Sequence, residues 1–426
     1  MISAGGEPLL IIGASARAAA ESARHAGYRP YAIDLFADAD LADIAEVRRS
    51  RKFPHDLPTL ARTMPACDWL YVGGLENYPE VVDAIAAERQ LLGTAGEVLR
   101  RVRDPQLFGR AMCMQGVSFP ESIFDPAEFR RLIDADPSSV SRAGERPSTG
   151  EGSEWLVKHR RSSAGLGVAV LRQHDMSGRR DEPFDDGRYL QCRVAGTSMG
   201  AVFLATKQAT YLLGITQQLT CPFQDGSHPF RYAGSLGPLP SSRPETQRLL
   251  DKLEKIGSLA TRVFPVSGIF SLDFLLDAGG LIRPLEINPR YTASVELLER
   301  SYGRSLIALH IAACRGAAVE TLQSPIVPLR TLSQTVHGKR IVYAPGSIGP
   351  VPAGVTAELL RRRREAERLG HHASVADIPP AGSKIAAEEP IATVFASGSD
   401  ENDVQARLTE RAHKVREIFR PFSEAS

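Results

Sequence analysis

Residues 267–290 read SGIFSLDFLLDAGGLIRPLEINPR, two apolar runs separated by Asp277-Ala278-Gly279-Gly280. A short acidic, Gly-rich break between apolar runs signals a hairpin, so the stretch predicts two antiparallel strands. Asp273 falls on the first strand, Glu286 and Asn288 on the second. Pairing outward from the turn brings Asp273 and Glu286 near each other across the ladder. Glu286, Asn288 and Arg290 alternate by two, which puts all three on one face of an extended chain. Two carboxylates this close repel unless a cation lies between them. Carboxylate and amide oxygens are hard ligands, and magnesium held by few protein oxygens completes its shell with phosphate oxygens. Asp273, Glu286 and Asn288 are therefore the candidate metal ligands, and a nucleotide is the natural companion. The competing reading is a plain hairpin that ends on Asn288-Pro289.

Two upstream stretches bear on this choice. WLVKHRRSSAGLGVAVL, from Trp155, reads as strand, loop, strand, with Lys158 on the first strand and Ser162, Ser163, Ala164, Gly165 and Gly167 in the loop. Small residues let backbone N–H groups approach phosphate oxygens, and a strand-borne lysine adds a point charge. The spacing is neither a Walker A motif nor GxGxxG. RYLQCRVAGTSMG, from Arg188, reads as a strand whose segment Gln191, Cys192, Arg193, Val194 could offer N–H and C=O groups to an adenine edge. Alone, each is an ordinary strand or Gly loop.

The flanking regions set the layout. EPLLIIGASARAAAESARHAGYRPYAIDLF and DWLYVGGLENYPEVVDAIAAE alternate strand and helix, which predicts a parallel sheet with crossover helices. Its ligand edge, at the carboxyl ends of the strands, carries Gly13, Ala14, Ser15, Arg17, Gly73, Gly74, Glu76 and Asn77. Asp34 stands at a ribose-like position, so a Rossmann-type dehydrogenase stays open, although the turn after Gly13 lacks GxGxxG. Residues 134–154, rich in Ser, Pro, Gly and charge, predict a flexible surface insertion. PETQRLLDKLEKIGSLATRVF is an amphipathic helix. After about residue 325, short strands split by Pro and Gly predict a small β-rich region closed by the helix DENDVQARLTERAHKVREIF. The boundaries read as 1–96, 97–320 and 325–426. The run of four arginines in ELLRRRREAERLG reads as a solvated helix face.

Composition narrows the class. With 426 residues, 43% hydrophobic and 24% charged, the chain has room for several domains and a large core. A net charge of +1 implies no general attraction to nucleic acid or acidic membranes. Five scattered cysteines without a CxxC pair argue against a disulfide framework or zinc site. LLIIG is too short for a signal peptide or a membrane span, so a cytoplasmic protein is expected.

Taken in order, the strand lysine, the small-residue loop, the hinge strand and the Asp…Glu-x-Asn hairpin resemble the ATP-grasp superfamily. The resemblance covers about residues 1–320 and implies a multidomain α/β and α+β fold: a Rossmann-like N-terminal domain, a central ATP-grasp domain and a C-terminal β-rich domain. It implies ATP and Mg2+ as cofactors, with Lys158 and the 162–168 loop on the phosphates, residues 191–194 on adenine, and Asp273, Glu286 and Asn288 on the metal. It implies an ADP-forming carboxylate–amine ligase that makes an acyl phosphate, with Lys158 and Arg290 as catalytic residues. Arg290 would grip the substrate carboxylate, because a guanidinium fork matches it; Arg231, Tyr232, Gly234 and Ser235 would line the acceptor site. The tail resembles enzymes related to biotin carboxylase, but no lysine-bearing biotin acceptor segment is seen. NPRYTAS and YAGSLGP look closer to amino-acid ligases of the tyramine–glutamate type, which serve C1-cofactor synthesis. Family members often carry Asp-Lys where this chain has Asp104-Pro105; either Arg103 or Arg110 replaces that phosphate contact, or it is missing. Ser198 is a poor match for the usual acidic ribose contact. A nucleotide-binding regulatory or assembly protein with a degenerate site is the alternative function. Small-molecule acid and amine partners are expected, with no nucleic acid or membrane, and a homodimer is left open. His228 and His337 carry no assigned role.

Overall fold

A computed structural model describes residues 5–135, 154–171, 187–220, 228–239, 244–318 and 335–423. The N-terminal part comprises β1 (Pro8–Gly13), α1 (Arg17–His25), β2 (Arg29–Asp34), α2 (Ala39–Ala42), β3 (Glu46–Arg49), α3 (Leu57–Arg62), β4 (Trp69–Tyr71) and α4 (Pro79–Ala86). Its strands form a parallel sheet in the order β3-β2-β1-β4. β1 is an unbroken apolar run because both its faces are covered. Leu9 and Ile11 pack with the alanines of α1, while Leu10 and Ile12 pack with Trp69 and Leu75.

Helices α5 (Gly96–Val102) and α6 (Pro105–Met114) lead out of this part. The Asp104-Pro105 pair has a local explanation: the Asp104 carboxylate accepts from the N–H groups of Gln106 and Leu107, and Pro105 takes the first helical position. A small lobe follows, with β5 (Ser122–Ile123), α7 (Pro126–Ala135), β6 (Trp155–His159), β7 (Ala169–Val170) and β8 (Arg188–Cys192). Its strands pair antiparallel in the order β5-β8-β6-β7. Of the insertion expected at 134–154, residues 136–153 lie outside the described residues.

The rest of the chain builds one large sheet. It contains β9 (Thr197–Ala205), β10 (Thr210–Thr220), β11 (Tyr232–Gly237), α8 (Pro244–Val263), β12 (Gly268–Leu276), β13 (Ile282–Asn288), α9 (Ala293–Tyr302), α10 (Ile307–Cys314), β14 (Val336–Tyr343), α11 (Ala353–Arg368), β15 (Val375–Ala376), β16 (Pro390–Gly398) and α12 (Glu401–Phe419). The strand order is β13-β12-β9-β10-β11-β14-β16-β15, so the C-terminal strands extend the central sheet. Leu249, Leu253, Ile256 and Ala260 of α8, spaced by three or four, bury one face against Phe203 and Phe270. Among the described residues, no helix is long and apolar enough to cross a membrane.

One expectation fails in α11. Arg361, Arg362 and Arg364 are exposed, but Arg363 turns inward with 5% side-chain exposure and pairs with Glu21 at 2.7 Å. Consecutive helical residues are 100° apart, so four in a row cannot all face solvent on a docked helix.

Candidate functional site

The three parts surround a cavity of about 1260 Å³. Its centre is the β12–β13 hairpin, where Asp273 pairs in register with Glu286 and Ser271 with Asn288. Period-two alternation then turns Asp273, Glu286, Asn288 and, past the strand end, Arg290 to the cavity wall. The Asn288 amide nitrogen donates to Asp273 Oδ2 at 2.8 Å and to Glu286 Oε1 at 3.3 Å, and Gln218 donates to Asp273 Oδ1 at 2.8 Å. Burial, then the nearby Glu286 charge, pushes the Asp273 carboxyl up to about 7. Burial acts the same way on Glu286, but Arg103 and Lys158 outweigh it and hold that carboxyl below its ordinary range. Two carboxylates and an amide on one wall are hard oxygen donors of the kind that suit a divalent cation. Among the described residues, no group of three or more His, Cys, Asp or Glu side chains gathers at one point. A cation here would therefore draw on two carboxylates and one amide oxygen, and take further oxygens from phosphate or water.

Arg103 bridges the site. It donates to Glu286 Oε2 at 3.0 Å, Ile287 O at 3.1 Å, Asn288 Oδ1 at 3.2 Å, Asn77 Oδ1 at 2.9 Å and Ser162 O at 3.2 Å. It joins the hairpin, the N-terminal sheet edge and the small-lobe loop through one guanidinium. Arg110, the other candidate for the missing lysine, is exposed on α6 and lies away from the cavity wall.

Lys158, on β6, reaches Gln191 Oε1 at 3.0 Å and faces the cavity. Ser162, Ser163 and Gly165 line the cavity; Gly167 bends the same loop at φ +72° but is not on the wall. The loop is pinned from outside: Ala164 O accepts from Tyr232 N at 2.9 Å, and a Cβ at Gly165, whose φ is +71°, would collide with the Phe230 carbonyl. Glycine is therefore required there by both space and conformation. Gln191, Cys192, Arg193 and Val194 line the opposite wall. The N–H groups of Cys192 and Arg193 already donate to Glu121 O at 2.8 Å and Glu154 O at 2.7 Å. Of that segment, Val194 is left to offer an N–H to a ligand edge. Ser198 also lines the cavity and donates to Gln218 Oε1 at 2.8 Å.

Beyond the hairpin the wall is made by the N-terminal and C-terminal parts. Arg290 lines it, but its guanidinium donates to Glu76 Oε1 at 2.7 Å and to Tyr291 O at 3.2 Å. Glu76 is fully buried; among the described residues, its Oε2 and the Arg290 Nε are buried without a hydrogen-bond partner. Tyr232 lines the cavity, whereas Ser235 is buried behind it and shares a 2.8 Å hydrogen bond with the Tyr232 hydroxyl. Arg231 is not on the wall; its guanidinium sits 4.1 Å from the Tyr343 ring centroid. Sequence reading missed Arg17, Lys339 and Asp377 as a group. Arg17 Nε donates to Asp377 Oδ1 at 2.8 Å, and Arg17 and Lys339 both bind Glu296, the latter at 2.7 Å. No spacing signal links residues so far apart, although Arg17 was placed correctly at the sheet edge.

Asp34 does not face a ligand. Its carboxylate accepts from the N–H groups of Ala16 at 2.6 Å, Phe36 at 2.8 Å and Ala37 at 2.7 Å, so it ties its own loop to the turn after β1, fully buried and away from the cavity wall. His337 lies off the cavity wall, and burial, with His372 nearby, pushes its imidazole down to about 4.

Residues 129–294 match the model of the ATP-grasp domain. No curated protein sequence matches the chain. The fold is similar to carboxyaminoimidazole ribonucleotide synthase of Aspergillus clavatus solved with ATP, at TM-score 0.66 and 12% identity over 97% of this chain and 99% of that one. It is similar to the biotin carboxylase domain of Hydrogenobacter thermophilus 2-oxoglutarate carboxylase, solved with MgADP and bicarbonate, at 0.66 and 14% over 96% and 89%. Biotin carboxylase of Campylobacter jejuni gives 0.67 and 14% over 94% and 89%. Identities this low establish the shared fold. Residues 129–294 thus match an ATP-grasp domain, and the fold around them is similar to that of these solved structures.

Proposed function

We propose that the chain is an ATP-dependent ligase that activates a carboxylate by phosphoryl transfer and joins it to an amine, releasing ADP. The observation that carries this reading is the in-register Asp273–Glu286 pair with Asn288 on the wall of a cavity that also holds Lys158 and a glycine loop. Mg2+ held by Asp273, Glu286 and Asn288 would neutralise phosphate charge during the transfer. Lys158 and the backbone of residues 162–165 would hold the phosphates, and the segment ending at Val194 would meet the adenine edge. Arg103 takes the place of the absent lysine: its guanidinium stands between the acidic hairpin and the loop, within reach of both. Arg290, kept ionic and oriented by Glu76, would align the substrate carboxylate next to the transferring group. Acceptor and acid would enter from the end walled by Tyr232, Arg17 and Asp377. An amino-acid type of substrate, of use in C1-cofactor synthesis, is the finer form of the proposal.

The second reading is a nucleotide-binding regulatory protein. It is favoured by the Arg103 contacts to Glu286 and Asn288, which occupy oxygens a cation would use. ADP release with Mg·ATP and paired acids and amines separates the two. Release that needs both an acid and an amine, and that falls at least about tenfold in Glu286→Gln, a loss of about 1.4 kcal/mol, supports the ligase. ATP binding without release in any pair supports the regulatory reading, and unchanged turnover in Glu286→Gln sinks the metal assignment.

A further inference from the structure

The cavity end opposite the small lobe is rich in basic residues, yet none of them is available to a phosphate. Arg17 is committed to Glu296 and Asp377 and Lys339 to Glu296 at 2.7 Å, while Arg290, braced by Glu76 at 2.7 Å, belongs with the reacting carboxylate. Lys339 and Glu296 keep 6% of their side-chain surface each, and Arg17 keeps 1%, so these pairs cannot open without leaving a buried charge. Asp377 differs from its neighbours. Its side chain is 23% exposed and lines the cavity. Only its Oδ1 accepts, from Arg17; among the described residues, nothing donates to Oδ2. Its backbone sits at φ +56°, a conformation that a side chain other than glycine's adopts at a cost. The Asp40 carboxylate holds it there by accepting from Asp377 N at 3.0 Å and Ile378 N at 2.9 Å. The result is one outward carboxylate oxygen on a wall where Arg17 and Lys339 are each already held by buried Glu296. The anion-accepting feature nearby, the start of α9 at Thr292–Ser294, follows directly on Arg290 and belongs with the reacting carboxylate.

We propose that Asp377 binds an ammonium group of the substrate, and that this end of the cavity takes an unphosphorylated amine and rejects a phosphorylated one. This rests on the ligase reading for the role of the amine, but the binding itself is separable from turnover. Bringing a phosphate dianion to Asp377 sets like charges together, and no cation on that wall is released to compensate.

The test is titration calorimetry of the full chain loaded with MgADP, using putrescine and compounds that differ only by a phosphate: ethanolamine against O-phosphoethanolamine, and tyrosine against O-phosphotyrosine. The unphosphorylated member is expected to bind at least about tenfold more tightly. Asp377→Asn should weaken amine binding at least tenfold with MgADP affinity unchanged, and Asp377→Glu, which keeps the Arg17 pair, should recover part of it. The comparison within pairs uses the unmodified chain and stands even where Asp377→Asn does not fold. Equal or tighter binding of the phosphorylated member, no binding of any amine, or unaltered binding in a folded Asp377→Asn overturns the proposal. Amine binding without ADP release from any acid–amine pair overturns the ligase reading instead and leaves the ammonium site in place.

Discussion

Replacing Arg103 by Met keeps the aliphatic stem and removes the guanidinium that ties three parts of the chain together. Of its acceptors only Glu286 is charged, and losing one partner of a buried pair costs about 3–5 kcal/mol. Arg103 is 8% exposed but Glu286 is 36% exposed, so water reaches the stranded carboxylate and lowers that cost to about 2 kcal/mol. The carbonyls of Ser162 and Ile287 and the amides of Asn77 and Asn288 each lose a bond worth a net ~1 kcal/mol, and water replaces part of it. The expected loss is about 3 kcal/mol in all. For a cooperative unit of about 150–250 residues, that lowers the melting temperature by about 6–12 °C. Arg103→Lys keeps the charge but not the fork and should fall about halfway. Arg110→Ala, at an exposed position, should stay within about 0.5 kcal/mol. Thermal unfolding and ATP titration of the three variants decide the matter. Arg103→Met that melts within about 2 °C of the unmodified chain and binds ATP equally well refutes the bridging role.

Gly165→Ala should lift the loop off the Phe230 carbonyl and weaken ATP binding about tenfold by calorimetry, with far-UV circular dichroism unchanged. Arg363→Met should lose about 3 kcal/mol in denaturant titration while Arg361→Ala loses less than about 0.5; equal losses would show that Arg363 is no more buried than its neighbour. Burial raises the Glu299 carboxyl to about 7 and those of Asp34 and Asp40 to about 6. The folded chain then holds more protons than the unfolded one between about pH 4 and 7, so the stability these groups give is full at the low end and lost as pH rises through that window. The urea midpoint should fall from pH 5 to pH 7.5, and Glu299→Gln should flatten the slope; an unchanged slope removes Glu299 from the account.

The hairpin was readable because its information is local: a Gly-Gly turn fixes register, and period two fixes which residues share a face. The parallel sheet was readable for the same reason, from alternating strand and helix patterns. Asp104-Pro105 was harder. As a motif it looked like a damaged Asp-Lys, while in the fold it is a helix cap, and the cation that reaches into the site is Arg103, the residue before it. A salt bridge was one reading of Arg290, and Glu76 was placed on the ligand edge, but nothing in sequence pairs the two. Asp34 shows the reverse error, since a ribose-like position turned out to be buried and tied to backbone N–H groups. Side-chain partners hundreds of residues apart leave no periodicity, so Asp377 could not be found without coordinates.

The Arg17–Asp377 contact spans 360 positions of sequence. During synthesis from the N-terminus, the first parallel sheet is complete long before β15 leaves the ribosome. Until then Arg17 lacks Asp377, although Glu296 emerges earlier, and part of its guanidinium must stay hydrated rather than sink against the later strands. The first part can thus form its strands early but cannot close its ligand edge. Final docking waits for the last quarter of the chain, and a nascent protein stalled before residue 375 would present that open edge to chaperones and proteases.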